Sequence, residues 1–304
     1  MKKIFSVCVF VIIFLVSIDS VTAIDSNKGL YVSPPFTDME IGSGDIQKYF
    51  DLELKNNGAG TLMVNLSVVD FGTLDESGGV AFLTTSKEPG DRKYALASWV
   101  SLEKDWVIIE PGKTEKVKIT ILNKQSLSAG GHYGAVVATI KTESKVSKDY
   151  VGLNQSLASL IYIQKTGGEK KSLVINKIDF ESNFLRFPNL IKLRFENNGN
   201  VHLVPRGKIE VKNRWGEIVV KATINEASAV IMPESFRVFI TKPGQISRWV
   251  WPGLYTIETS FRYDGKTNFA VLKTDYYYFG REGVILYTIG FLAIGFGLYW
   301  KRRV

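Results

Sequence analysis

Through its middle the chain alternates apolar and polar residues with a period of two. Phe50, Leu52 and Leu54 alternate with Asp51, Glu53 and Lys55. Leu62, Val64, Leu66 and Val68 alternate with Asn65 and Ser67, and Val117, Ile119 and Ile121 with Lys116, Lys118 and Thr120. Further on, Ile191, Leu193 and Phe195 alternate with Lys192, Arg194 and Glu196. Successive strand side chains point to opposite faces, so this pattern predicts half-buried antiparallel strands. No sustained helical period interrupts them.

Two apolar runs bracket the strands. The first, Ile4 to Ile18, follows Lys2 and Lys3 and precedes Val21-Thr22-Ala23. A basic start, an apolar middle and small residues before a cut predict a secretory signal over 1–23, cleaved after Ala23; an uncleaved anchor is the alternative. Cys8 lies too early in this run for a lipoprotein site. The second run, 284–300, carries no charge, and at 1.5 Å per residue it reaches roughly 26 Å, close to a hydrocarbon core of about 30 Å. Tyr276, Tyr277, Tyr278 and Phe279 precede it, Tyr299 and Trp300 close it, and Lys301, Arg302 and Arg303 follow. Aromatic belts and a basic tail predict one membrane-spanning helix with 301–304 cytoplasmic and the body outside.

The body divides at the polar stretch 166–172, a predicted linker between domains at 24–165 and 173–279. The two halves echo each other. Leu54-Lys55-Asn56-Asn57-Gly58 corresponds to Phe195-Glu196-Asn197-Asn198-Gly199. Pro111 corresponds to Pro233, Gly131 to Gly253 and Tyr133 to Tyr255, the last three at one common offset. Strand, turn, strand, proline-marked corner and Gly-x-Tyr opening a late strand predict two tandem immunoglobulin-like β-sandwiches, an all-β fold. Tyr133 and Tyr255 are expected as tyrosine corners. Between its turn and its corner the first half is longer, the excess falling in Asp70–Ser98. Such a segment is either a recognition loop or, alternatively, an additional hairpin or a mobile loop.

Composition narrows the function. Of a net charge of +8, half belongs to the two ends, so the body is only mildly basic and carries no nucleic-acid signature. The single cysteine, Cys8, leaves with the signal, so neither disulfides nor thiolate metal sites are expected. His132 and His202 are the only histidines, one per domain, and read as half-buried strand residues. No nucleophile elbow, EF-hand spacing or phosphate-binding glycine loop occurs, and a non-enzymatic protein without cofactors is expected. Trp99, Trp106, Trp249 and Trp251, with Trp215, are the candidate binding residues, since exposed aromatic rings stack on sugars and anchor partners. Core placement and, for Trp249 and Trp251, the membrane interface are the alternatives.

Val32-Ser33-Pro34-Pro35, Tyr49 to Gly58, Val107 to Ile121, Gly130 to Val137, and Asn197-Asn198-Gly199-Asn200-Val201-His202 with Pro205 and Gly207 carry a resemblance over almost the whole chain. With a signal and an anchor, it resembles the WxL-interacting bacterial cell-surface proteins. That resemblance implies peptidoglycan binding by the first domain and the holding of WxL-domain partners by the second. The two-domain plan also resembles periplasmic pilus chaperones, which lend a strand to a subunit; here Leu157, Leu160, Ile161 and Ile163 would be the donor side chains. Those chaperones are soluble, and their basic cleft pair has no counterpart in this sequence. The expected function is a membrane-anchored envelope scaffold or adhesion module binding wall polymer or a protein partner. A tethered assembly chaperone or an accessory subunit of an envelope complex is the alternative.

Overall fold

A computed structural model describes residues 29–83, 93–124, 127–141, 155–180, 187–245 and 250–303. The signal segment and Trp249 lie outside the described residues. The first sandwich contains β1 (Leu30–Ser33), β2 (Phe36–Ile41), β3 (Gln47–Asn56), β4 (Leu62–Thr73), β5 (Val80–Leu83), β6 (Val100–Leu102), β7 (Trp106–Ile109), β8 (Thr114–Leu122), β9 (Gly130–Ile140) and β10 (Ser156–Lys165). One sheet runs β1-β3-β8-β6; the other runs β2-β10-β9-β4-β5, with β7 also on β4. The period-two pattern places Leu52, Leu54, Val117, Ile119 and Ile121 from one sheet against Val64, Leu66, Val136, Ile161 and Ile163 from the other, all in the core.

The second sandwich contains β11 (Leu173–Phe180), β12 (Ile191–Asn197), β13 (Arg206–Lys212), β14 (Ile218–Ile224), β15 (Ser235–Thr241), β16 (Gly244–Gln245), β17 (Gly253–Arg262) and β18 (Ala270–Tyr278). Its sheets are β11-β12-β15 and β16-β14-β13-β17-β18. Phe195 lies at its centre, edge-on to Phe239 and Phe261. Helix α1 (Gly280–Arg303) follows, and its stretch Gly283–Arg302 is long and apolar enough to cross a membrane. Its large side chains from Val284 to Trp300 are largely exposed.

The internal repeat reaches individual hydrogen bonds. Asn56, fully buried, donates through Nδ2 to the carbonyls of Gly60 and Ile109 and accepts from Gly58 N through Oδ1. Asn197, also fully buried, donates to Val201 and Ile231 and accepts from Gly199 N. Each amide pins the end of one strand to the segment before the proline corner, satisfying carbonyls that the turn leaves unpaired. Gly199 is required by space as well, because a Cβ there would lie 2.2 Å from the carbonyl oxygen of Lys170.

The two tyrosines part company. The Tyr255 hydroxyl donates to the Trp251 carbonyl at 2.6 Å, a bond back to upstream backbone of the kind a tyrosine corner makes. Among the described residues Tyr133 makes no such bond and points instead into the junction between the sandwiches, where its hydroxyl lies 3.4 Å from His202 Nδ1.

Candidate binding site at the domain junction

Strands β9 and β10 are apolar on both faces. Their inward set, Val136, Ala138, Ile161 and Ile163, fills the first core. Their outward set, Tyr133, Ala135, Leu160 and Tyr162, joins Val69 and Phe71 of β4 and packs against Val230 and Met232 of the second domain. Phe71, Tyr133, Tyr162 and His202 form a ring cluster with centroids 5.2–5.9 Å apart. Offset and edge-on contacts at these distances are favourable, and full burial of one such ring contributes about 1.5–3 kcal/mol. Burial raises the pKa of both Tyr133 and Tyr162, so both stay neutral donors at any physiological pH. His202 Nε2 approaches Asp38 Oδ2 at 3.2 Å, joining the second domain to β2.

The junction is also stapled at its rim. Asn200 accepts from Gly131 N at 2.8 Å through its carbonyl and from Lys170 N at 2.6 Å through Oδ1. Gly131 has to be glycine, because a Cβ would lie 2.0 Å from the Tyr133 hydroxyl. Lys93 pairs with Glu234. The segment Asp70–Ser98 supplies the largest staple. Part of it is the β4–β5 hairpin, and its tip turns onto the second domain. Glu76 pairs with Arg194 and accepts from Val238 N at 2.7 Å. Gly78, at φ +94°, lies so close to Arg237 that a Cβ would meet the guanidinium at 2.2 Å. The described part of this segment is therefore the additional hairpin, used to hold the domains together, and Asp75 and Glu76 are bonded rather than freely solvated. Asp70, 2% exposed, accepts from Leu96 N and Ala97 N and fixes the short 3-10 turn Ala97–Trp99.

A cleft of about 570 Å³ opens where these surfaces diverge, lined among others by Phe36, Phe71, Tyr162, Val230, Met232 and Arg237. Arg237 is half-buried, donates to the Val230 carbonyl at 2.5 Å, and has its pKa lowered by that burial. Phe36, at the mouth, is 60% exposed.

Strand β10 borders this mouth and is only partly covered. β2 pairs with it from Leu160 to Lys165, and Leu160 N donates to the Pro35 carbonyl. Upstream, Ser156, Leu157 and Ala158 pair with β9 alone among the described residues. Strand backbone groups alternate between neighbours, so Ala158, two residues from Leu160, directs its N–H and C=O to the open side. The four expected donor side chains do not form one row. Leu157, Ile161 and Ile163 face the first core, the latter two fully buried, whereas Leu160 faces the junction.

The tryptophans separate by environment. Trp99 is 4% exposed with its ring against His132, so this binding candidate is a core residue. Trp106 is exposed on β7 opposite Asn65, and its neighbours Met63 and Ile108 are exposed too. Trp215 is exposed in the β13–β14 turn, and Trp251 is exposed beside α1. None of the described tryptophans lines the domain cleft. Sequence reading missed Asp38, Tyr162 and Arg237; the available signal was the pair of strands with no polar face, β9 and β10.

No protein family and no curated protein matches the chain. Solved structures do. The class 5 fimbriae chaperone CfaA is 13% identical with a TM-score of 0.44, covering 81% of this chain and 99% of its own. The SafB chaperone of Salmonella enterica, solved with the SafA pilin, is 11% identical with a TM-score of 0.38, covering 82% and 96%. The CsuC–CsuE chaperone–adhesion subunit complex of Acinetobacter baumannii gives 12% and 0.37, covering 81% and 97%. The likeness is one of sandwich fold.

Proposed function

We propose that this chain is a membrane-anchored, non-enzymatic module of a bacterial cell envelope that holds an extended segment of a partner protein at its domain junction. The open edge of β10 carries this reading. Among the described residues Ser156 to Ala158 offer unpaired strand edge beside an apolar cleft mouth, and a segment added there would gain main-chain hydrogen bonds and end against Phe36. This is the strand-adding mode of a tethered assembly chaperone, and it also suits a scaffold of the WxL-interacting kind that retains a surface protein. Helix α1 would span the membrane with Lys301–Arg303 inside and both sandwiches outside.

A photo-crosslinking residue at Ala158 tests it in cells. Crosslinks to one envelope protein, mapped to an extended segment and missing from the same probe at Lys55 on the opposite sheet, are the expected result. Equal capture at both positions would remove the reading. Trp106 favours a second reading, stacking on a wall polymer from β7, because its exposed indole, flanked by Met63 and Ile108, has no partner ring or core to cover it among the described residues. Retention of the protein on isolated cell wall that is lost in Trp106→Ala would select it.

A further inference from the structure

The end of the second sandwich remote from the first is unusual in what it exposes. Strand register shows which loops meet there. Lys212 pairs with Thr256 and with Ile218, so the turn Asn213–Glu217 projects past Thr256 toward the start of β17. Gly253 lies three residues beyond Thr256, about 10 Å along the strand. Gly253 in turn pairs with Tyr278, the last residue before the approach to α1. Turn 213–217, Trp251 and the start of the helix thus share one end, whereas Asn200, His202 and Val230 meet the first domain at the other.

That end is built from large aromatic side chains left in solvent. Trp215 is 65% exposed and Trp251 57%. The turn holding Trp215 is rigid: Asn213 Oδ1 accepts from Trp215 N at 3.0 Å and Glu217 N at 2.9 Å, and Gly216 takes φ +83°. The Arg214 guanidinium lies 4.6 Å above the Trp215 ring. Glu217, the acidic group of this turn, is tied back by Asn213 Nδ2 at 2.8 Å. Trp251 and Pro252 stand directly beside the helix, lining with Gly283, Leu286, Tyr287 and Phe291 an almost wholly apolar groove of about 610 Å³. Pro252 approaches so closely that a Cβ on Gly283 would lie 3.1 Å from its Cγ.

We infer that this end of the second domain rests on an anionic lipid surface, with Trp215 and Trp251 at headgroup depth and Arg214 on a phosphate. The inference rests on the reading of α1 as a membrane span and extends it to the sandwich. Continuity places the surface: Trp251 flanks Gly283 and Leu286, so a bilayer that accepts the apolar run from Val284 meets Trp251 at its polar boundary. Tryptophan is enriched at that depth, because its ring is apolar and its N–H still finds water or a headgroup. The exposed Arg214 matches the sign of anionic headgroups. Two separate loops, β13–β14 and the approach to β17, present the same chemistry at one level. A transmembrane tether alone needs neither.

Spin labels on the full chain, with Cys8 replaced by Ser, provide the test. Cysteine is placed singly at Trp215, Trp251, Leu292 and Trp106, and the chain is reconstituted in nanodiscs of phosphatidylcholine with or without phosphatidylglycerol. Collision with oxygen is compared with collision with a water-soluble nickel chelate. Labels at 215 and 251 are expected between the lipid-buried 292 and the aqueous 106, moving toward 292 when phosphatidylglycerol is present. Each cation near an anionic surface is worth about fivefold in occupancy, so Arg214→Gln should lower the oxygen-to-chelate ratio at 251 severalfold on anionic discs alone. If 292 is protected while 215 and 251 match 106, the anchor stands and the docking is overturned. If 292 is as wet as 106, the span itself fails and the docking with it. Dipolar broadening between labels at 215, with both collision agents excluded, would assign the surface to a second copy of the chain and also overturn it.

Discussion

Glu76 and Arg194 meet fork to fork across the domain junction, Nε to Oε2 at 2.8 Å and Nη2 to Oε1 at 2.6 Å. One lies on a hairpin tip of the first sandwich and the other on β12 of the second. Parallel bonds of this kind fix an angle as well as a distance. The pair is solvent-accessible, so its effect is on geometry far more than on stability. Glu76→Ala is expected to broaden the range of interdomain angles, seen as a larger radius of gyration in small-angle scattering of detergent-solubilised chain, while the thermal midpoint barely moves. Arg194 holds the Glu76 carboxyl below its ordinary value of 4.5. A lowered carboxylate contributes while ionised and loses its contribution as pH falls below about 4.5, so wild type should approach the variant's scattering only in acid.

Asn56 and Asn197 make the same three bonds in their respective sandwiches, and both amides are fully buried. Aspartate at either site would keep the shape but could not donate to two carbonyls. An unpartnered buried polar group costs about 1–3 kcal/mol, and a buried carboxylate facing carbonyls more. Asn56→Asp and Asn197→Asp are each expected to lower the urea midpoint of the affected sandwich by an amount equivalent to about 3 kcal/mol or above. Similar losses at the two sites would establish the motif as one device used twice, and a loss at one site only would make the repeat superficial.

That device was readable in the sequence, as Asn-Asn-Gly twice, because its bonds are local and turn chemistry is encoded over a few residues. The alternation of Phe50 to Leu54 and of Val117 to Ile121 was readable for the same reason, since side-chain period decides which face is buried. What alternation leaves undetermined is the partner of a second apolar face. Tyr133 and Tyr255 occupy equivalent places in the sequence, yet only Tyr255 bonds back to its own domain. Tyr133 is claimed by His202, 69 residues away. The donor row expected in β10 failed for a related reason: Leu157, Ile161 and Ile163 share parity with the core, and only Leu160 is out of step. Trp99 was ambiguous because an indole suits a core as well as a surface, and 3-10 geometry after Asp70 decided it.

His132 provides a pH signature. It is 2% exposed, with Nδ1 3.0 Å from the Ala95 carbonyl and Nε2 2.8 Å from that of Ser128. Burial lowers its pKa below 6.5, against the two carbonyls that favour the charged ring, and nearby Lys165 adds to the lowering. The unfolded chain therefore binds the proton more tightly than the folded one. Stability should be level above about pH 6.5 and fall as pH drops below it. Glu234, whose carboxyl Lys93 holds below 4.5, acts only in stronger acid, below the window from about 6.5 to 5. Urea midpoints measured across that window should decline in wild type and stay flat in His132→Gln; a parallel decline in both would place the titration elsewhere.

Ala158 separates strand addition from every other use of the junction. Its N–H faces the open side of β10, while its neighbours in sequence carry the ladder to β9. Proline there removes one of the two donors, Ser156 N–H being the other, that the described open edge offers an added strand, and takes nothing from the β9 ladder; its fixed φ is tolerated at a strand edge. Ala158→Pro is therefore expected to fold with a near-native thermal midpoint and to lose most of its partner capture, measured as co-purified partner per anchored chain. Ala138→Pro, in the central strand β9, is the contrasting variant: it breaks an interior strand and should lower stability by about 3 kcal/mol or more. Capture that survives Ala158→Pro intact would mean the partner is held by side chains of the cleft, Phe36 and Arg237 first among them, and main-chain pairing at β10 would play no part.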